Sequence, residues 1–136
     1  MNTNYWLNKV MDTMYGGGAT EFWLGLSSTQ PTGTGSGVTE PVGNNYSRVK
    51  IAAFTASVDG VVKNMYALHF PKSSGVWFPS DAKAAYWLLF DGDGETANLL
   101  SSGMLLEAKT VEGDTVITIP EETLSIALTD YSSAIA

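Results

Sequence analysis

From residue 3 to residue 15, apolar side chains recur at helical spacing. Trp6, Leu7, Val10, Met11, Met14 and Tyr15 form one stripe, with Asn8, Lys9, Asp12 and Thr13 opposite. The spacing predicts an N-terminal helix capped by Thr3 or Asn4 and stopped by a left-handed Gly16. A helix of this length is marginal on its own, so the stripe must be packed on something. After the glycines the period changes to that of strands. EFWLGL at 21–26 is compact and aromatic. In YSRVKIAAF, Tyr46, Arg48 and Lys50 share one face and Val49 and Ile51 the other. NMYALHF at 64–70 alternates and ends at Pro71. AAYWLLF at 84–90 is the unbroken apolar run of a strand buried on both faces. ANLLSSGMLLEAK, TVITI and TLSIAL supply further strands, the last with Leu124, Ile126 and Leu128 inward.

Six to eight short strands follow one helix, and no second helical pattern allows parallel crossovers. The expected fold is mainly β: an antiparallel β-sandwich with one short N-terminal α-helix, forming a single domain over residues 1–136. Within it lies a long Gly/Thr/Pro loop at 29–45, in the stretch TQPTGTGSGVTEPVGNNYSR. Such a composition fits neither a helix nor a central strand. It leaves three uses for the segment: a phosphate cradle, a disordered linker, or an extended arm that reaches another protein.

Composition narrows these. Only 15% of residues are charged, against roughly 25% in an average soluble domain, so polar uncharged residues or a partner must cover much of the surface. Net charge is −7 and the seven basic residues are scattered singly, which argues against nucleic acid. There is no cysteine, which removes disulfides, thiol catalysis and cysteine-based zinc sites. The start of the chain lacks a secretory pattern, and the longest apolar run is far short of the ~20 residues of a spanning helix. A soluble chain made in the cytoplasm, without a membrane partner, is expected.

Candidate chemistry is sparse. GTGSG at 33–37 lacks the Lys of a phosphate loop and is flanked by prolines and a strand. DGDGE at 91–95 departs from a calcium loop, since its sixth and twelfth positions are Thr96 and Ser102. It reads as a hairpin turn, with a looser cation site on Asp91, Asp93 and Glu95 as the alternative. His69 is the one histidine, set in an apolar strand with no nucleophile elbow in the chain. Paired acids for glycoside hydrolysis, Glu121–Glu122 or Asp91–Asp93, sit beside turns. No enzyme, cofactor or metal is expected. Of the four tryptophans, Trp23 and Trp87 fall in core patterns. Trp77, in a turn-rich stretch, suits a core, a protein interface or a sugar-stacking platform.

The segments FWLGLSSTQPTGTGSGVTEPVGNNYSRVKI, YWLLFDGDGETANLL and TVEGDTVITIPEETLSIAL, behind a glycine-closed helix, share their order and spacing with a known group. In these the chain resembles small virion structural proteins of tailed bacteriophages, the group labelled head-decoration or tail-fibre proteins. The resemblance spans most of the chain; residues 53–77 match least. It implies a non-enzymatic β-sandwich component of the virion, assembled in the host cytoplasm. The implied partners are the phage major capsid protein or other virion subunits, with a homo-oligomer left open.

A contact role gives the long loop a use. Pro31 and Pro41 limit its unfolded freedom and so lower the ordering cost of docking. Tyr46 and Arg48 are residue types favoured at interface hot spots, and equally at home on an exposed strand face. The candidate partner-binding set is Pro31, Thr32, Thr34, Val38, Pro41, Tyr46, Arg48 and Trp77. Removing residues 31–43 is then expected to spare the fold and weaken particle binding. The leading expectation is a capsid decoration (cement) protein on the outer head lattice. The alternative is a tail, baseplate or fibre-attachment subunit. From another class comes a carbohydrate-binding module stacking sugars on Trp77 and Tyr86.

Overall fold

The structure is a computed structural model that describes residues 2–18 and 20–128. Along the chain run α1 (Asn4–Tyr15), β1 (Phe22–Ser27), β2 (Val49–Ile51), β3 (Val61–Lys63), β4 (Leu68–His69), β5 (Ala84–Phe90), β6 (Leu99–Lys109), β7 (Thr118–Ile119) and β8 (Ser125–Ala127). Every strand pair with a defined register is antiparallel. The fold is therefore mainly β with one short N-terminal helix, as the sequence pattern implied. No helix among the described residues is long and apolar enough to cross a membrane. The chain divides into two compact units, one from residues 1–20, 52–67 and 119–136, the other from 21–51 and 68–118.

In the first unit α1 begins as expected, with the Thr3 hydroxyl accepting the Trp6 N–H at 3.3 Å. Its end differs from expectation. Gly16 has φ −83°, and the left-handed residue is Gly17 at +102°. The inward face differs too. Leu7 and Met11 are buried, but Trp6 and Met14 from the predicted stripe are 51% and 59% exposed. The face is turned by polar bonds. Asn8 Oδ1 accepts from the Ser57 hydroxyl and the Gly60 N–H, both at 2.8 Å, and Asp12 accepts from the Ser57 N–H at 2.7 Å. These tie the helix to the 57–60 turn, a tight hairpin with Asp59 at φ 52° and Gly60 at 78°. A Cβ at Gly60 would meet Leu7 Cβ at 3.1 Å, so turn and helix require glycine together. The hairpin leads into β3, a strand the alternation did not reveal. β3 pairs with β8, where Leu124 and Ile126 point inward and Leu128 is 38% exposed. Buried Asn64 fastens the unit: its side chain donates to the Tyr66 and Pro120 carbonyls and accepts the Leu124 N–H.

The second unit is built on a four-stranded sheet in the order β2-β1-β5-β6. Its registers place Leu24 opposite Leu89, Gly25 opposite Leu88 and Trp23 opposite Phe90. Phe22, Leu24, Leu26 and Leu89 thus share one face, and Trp23, Gly25, Leu88 and Phe90 the other. Leu88 and Leu89 are both fully buried, so β5 is covered on both sides, as its continuous apolar run required. The segments 64–70 and 115–119 form strand only at Leu68–His69 and Thr118–Ile119. Much of 68–78 is instead held to 111–117 by single bonds. These include Phe70 N–H to Ile117 O, Trp77 N–H to Val111 O, and a buried Ser73 hydroxyl that accepts the Thr115 N–H.

Candidate functional site

The long loop between β1 and β2 is not an extended arm. It leaves β1 at Ser27, which is fully buried and uses one hydroxyl to tie both ends of the loop. Ser27 Oγ accepts the N–H of Thr29 at 3.1 Å and of Thr39 at 3.0 Å, and donates to the Thr29 carbonyl at 2.7 Å. A Thr29–Thr39 hydroxyl bond at 2.8 Å and Ser28 N–H to Thr39 O reinforce the closure. The tip folds on itself. Thr32 N–H donates to Ser36 O at 2.8 Å, and the hydroxyls of Thr32, Thr34 and Ser36 lie within 3.2 Å of one another. This is a compact surface loop closed at its root and exposed at its tip.

Beyond the root, the chain is clamped onto the sheet by three side chains. Arg48 Nη2 and Nε donate to the two oxygens of Glu40 at 2.8 and 2.9 Å, a bidentate pair with side chains only 11% and 18% exposed. Arg48 Nη1 donates to the carbonyls of Gly94 at 3.0 Å and Gly92 at 3.2 Å. The guanidinium carbon stands 3.5 Å from the Phe90 ring centre, a close cation–π contact. The Tyr46 hydroxyl donates to Glu40 and accepts the Leu26 N–H at 3.2 Å, past the point where β2 ends opposite Leu24. Burial, then the Glu40 carboxylate, push the Tyr46 phenol well above its usual range. Hydrogen bonds to Glu40 likewise raise Arg48. The clasp fits because β1 carries glycine beneath it. A Cβ at Gly25 would lie 2.7 Å from Glu40 Oε2 and 2.9 Å from the Tyr46 oxygen.

Two grooves of about 430 Å³ flank the Glu40–Arg48 pair. One is lined by the loop tip at Gly33–Gly35 together with Val38, Phe90, Asn98 and Leu99, and the other by Trp23, Pro41, Val42 and Tyr46. Glu40 and Arg48 border both, but their polar atoms are already bonded to each other and to neighbours. The arrangement holds a loop in place and presents its Thr, Ser and Gly groups outward.

Thr34, Val38 and Arg48 therefore meet at one groove, and Pro41, Tyr46 and Arg48 at the other. Thr32 belongs to the hydroxyl tip, and Pro31 is half-buried beside it. Pro41 is buried, and Tyr46 and Arg48 face the sheet rather than a free surface. Trp77 is not an exposed ring: it is 5% exposed, its Nε1–H donates to Asn44 O at 2.9 Å, and it meets Tyr46 edge-on at 5.1 Å. Tyr46 also stacks on Phe70 at 6.4 Å. Trp77 is a floor for Tyr46, which removes one of the two proposed sugar platforms. Deleting residues 31–43 would take Glu40 and Pro41 with it, so only the tip is dispensable to the clasp. Glu40, Gly25 and Phe90 were missed because the pairing spans separate segments and no periodicity marks it.

Elsewhere, Asp91 is taken up by Asn98, whose N–H and Nδ2 donate to it at 2.7 and 2.9 Å and hold its carboxyl below the usual range. Among the described residues no three acidic or histidine side chains converge on a cation position. His69 is exposed, with Nδ1 3.0 Å from the Thr118 hydroxyl.

Residues 1–127 fit the family described as podophage GP4 fiber I protein gp80. No curated protein matches the chain.

Proposed function

The chain belongs to this podophage fibre family, a family of tailed-phage virion structural proteins, and on that premise we propose that it is a non-enzymatic fibre or fibre-attachment subunit working by contact. The family places the protein in the virion. Its fibre designation favours the tail-side alternative over the head-decoration expectation. The observation that carries the contact reading is the clasp. The carboxylate and guanidinium most enclosed beside the grooves, Glu40 and Arg48, spend their polar atoms on each other, on Tyr46 and on two backbone carbonyls. Groups so engaged position a loop; they are not poised for proton transfer, which needs a group free to reach substrate. What the loop offers outward, at Thr32, Thr34 and Ser36, is hydroxyl and backbone hydrogen bonding suited to a neighbouring subunit.

The experiment is electron microscopy of particles made without the protein. The proposal expects normal heads with absent or malformed fibres. Fragile heads carrying intact fibres would restore the cement-protein reading.

A further inference from the structure

β6 is the outer strand of the four-stranded sheet, and among the described strands only β5 pairs with it. Edge strands are ordinarily shielded by charges, prolines or brevity. This one is 11 residues long, and residues 97–106, ANLLSSGMLL, contain no charge and no proline. Its even-numbered side chains stand outward: Leu100 is 45% exposed, Met104 73%, and Leu106 fully exposed. Its regular pairing with β5 runs from Ser101 to Met104; the strand bulges at Leu100, between the partners of Leu89 and Phe90, and again between Met104 and Lys109, where Tyr86 opposes Met104 while Ala84 opposes Lys109.

We propose that this edge pairs antiparallel with β6 of a second copy of the chain, about a twofold axis at Ser102. The pattern is self-complementary there. With Ser102 opposite its own copy, Leu100 stands opposite Met104 of the partner and Leu99 opposite Leu105 of the partner, and the reciprocal pairs follow by symmetry. Charge selects the same arrangement. The chain carries −7, so most of its surface repels a second copy, while 97–106 does not. At the start of β6 sits the acidic turn with Asp91, Asp93 and Glu95; at its far end lie Lys109 and, beside its β5 neighbour Ala84, Lys83. Antiparallel pairing brings each basic end to the partner's acidic turn, twice. Glu107, 3.8 Å from Lys109, and Asp81, two residues before Lys83, offset the charge of this end, so the attraction is local, from Lys109 and Lys83 to the partner's turn. The two sheets become one continuous sheet of eight strands. This deepens the contact reading by naming one neighbour, and it is tested apart from the virion.

The chain has no cysteine, so Ser102→Cys introduces the sole thiol. Directly opposed Cβ atoms in such a pair lie about 4.5–5.5 Å apart, close enough for a disulfide after slight adjustment. Mild oxidation should convert most of Ser102→Cys to a covalent dimer, while Ser80→Cys, exposed in a separate turn, stays largely monomeric. Sedimentation equilibrium of the parent should show monomer and dimer. Met104→Lys, with an unchanged melting curve, should weaken dimerisation on the order of tenfold or more, because it sets a charge against the partner's Leu100. A parent that is monomeric at about 100 µM overturns the proposal, as does a trimer, or Ser102→Cys cross-linking no better than Ser80→Cys. None of these results would touch the proposed fibre position, which is tested on particles, or the family match over residues 1–127.

Discussion

Replacing Arg48 with methionine tests the clasp most sharply. Methionine keeps an apolar stem over Phe90 and removes every donor. The Glu40 carboxylate loses both bonds from the guanidinium and keeps only Tyr46, while the carbonyls of Gly92 and Gly94 lose a shared donor. With side chains 11% and 18% exposed, the pair is largely out of water. Breaking one partner of such a pair costs about 3–5 kcal/mol, because the other charge stays enclosed. Some water reaches these groups, so the lower end, about 3 kcal/mol, is expected. That is a large part of a typical 5–15 kcal/mol stability, worth a fall of roughly 10 °C in melting temperature. Urea unfolding followed by tryptophan fluorescence would measure it, and a cycle with Glu40→Gln would isolate the pair. In the double variant the stranded charge is gone, so its cost should fall short of the sum of the singles by about 2 kcal/mol. A cost under about 1 kcal/mol for Arg48→Met, with a cycle additive within about 0.5 kcal/mol, would refute the claim that this pair holds the loop.

Three further outcomes follow from the same contacts. The Tyr46 phenol is raised in the folded state, so the native form holds its proton longer than the unfolded chain. Stability should be level below pH ~10 and fall above it by up to about 1.4 kcal/mol per pH unit from this residue. Tyr46→Phe should leave only the share contributed by Tyr15, also raised by burial, and an unchanged slope would contradict the assignment. In α1, Met11→Asp buries a carboxylate and should cost several-fold more than Lys9→Asp, which should stay within about 0.5 kcal/mol; equal melting temperatures would contradict the register. Deleting residues 32–36 removes the hydroxyl tip but spares Ser27, Thr39 and Glu40. Stability should change by less than about 1 kcal/mol while incorporation into particles drops, and normal incorporation would remove the loop from the interface.

The sequence was most legible where burial alone sets the pattern. AAYWLLF announces a strand covered on both sides because nothing in it needs water, and Phe22–Ser27 is nearly as plain. Legibility failed where polar bonds decide. In α1 the apolar stripe pointed to Trp6 and Met14, but Asn8 and Asp12 find partners at Ser57 and Gly60 and turn the helix toward themselves. β3 was hidden because its signal is a two-residue turn at Asp59–Gly60 followed by three residues of strand. The clasp was half visible. Tyr46 and Arg48 stood out by residue type, but their orientation depends on Glu40 and on the space above Gly25, and neither leaves a periodic trace. Turn-rich sequence left Trp77 open between core, interface and sugar platform; it is core, because Tyr46 and Phe70 enclose it from distant segments.

The central claim is that this is a fibre-side subunit acting through contact. Cryo-electron microscopy of the intact particle, with the subunit fitted into density, tests it most directly. The account predicts the chain within or at the root of the fibres, its 29–45 loop against a neighbouring subunit. Density over the capsid lattice, or a fibre position with that loop facing only solvent, would contradict it.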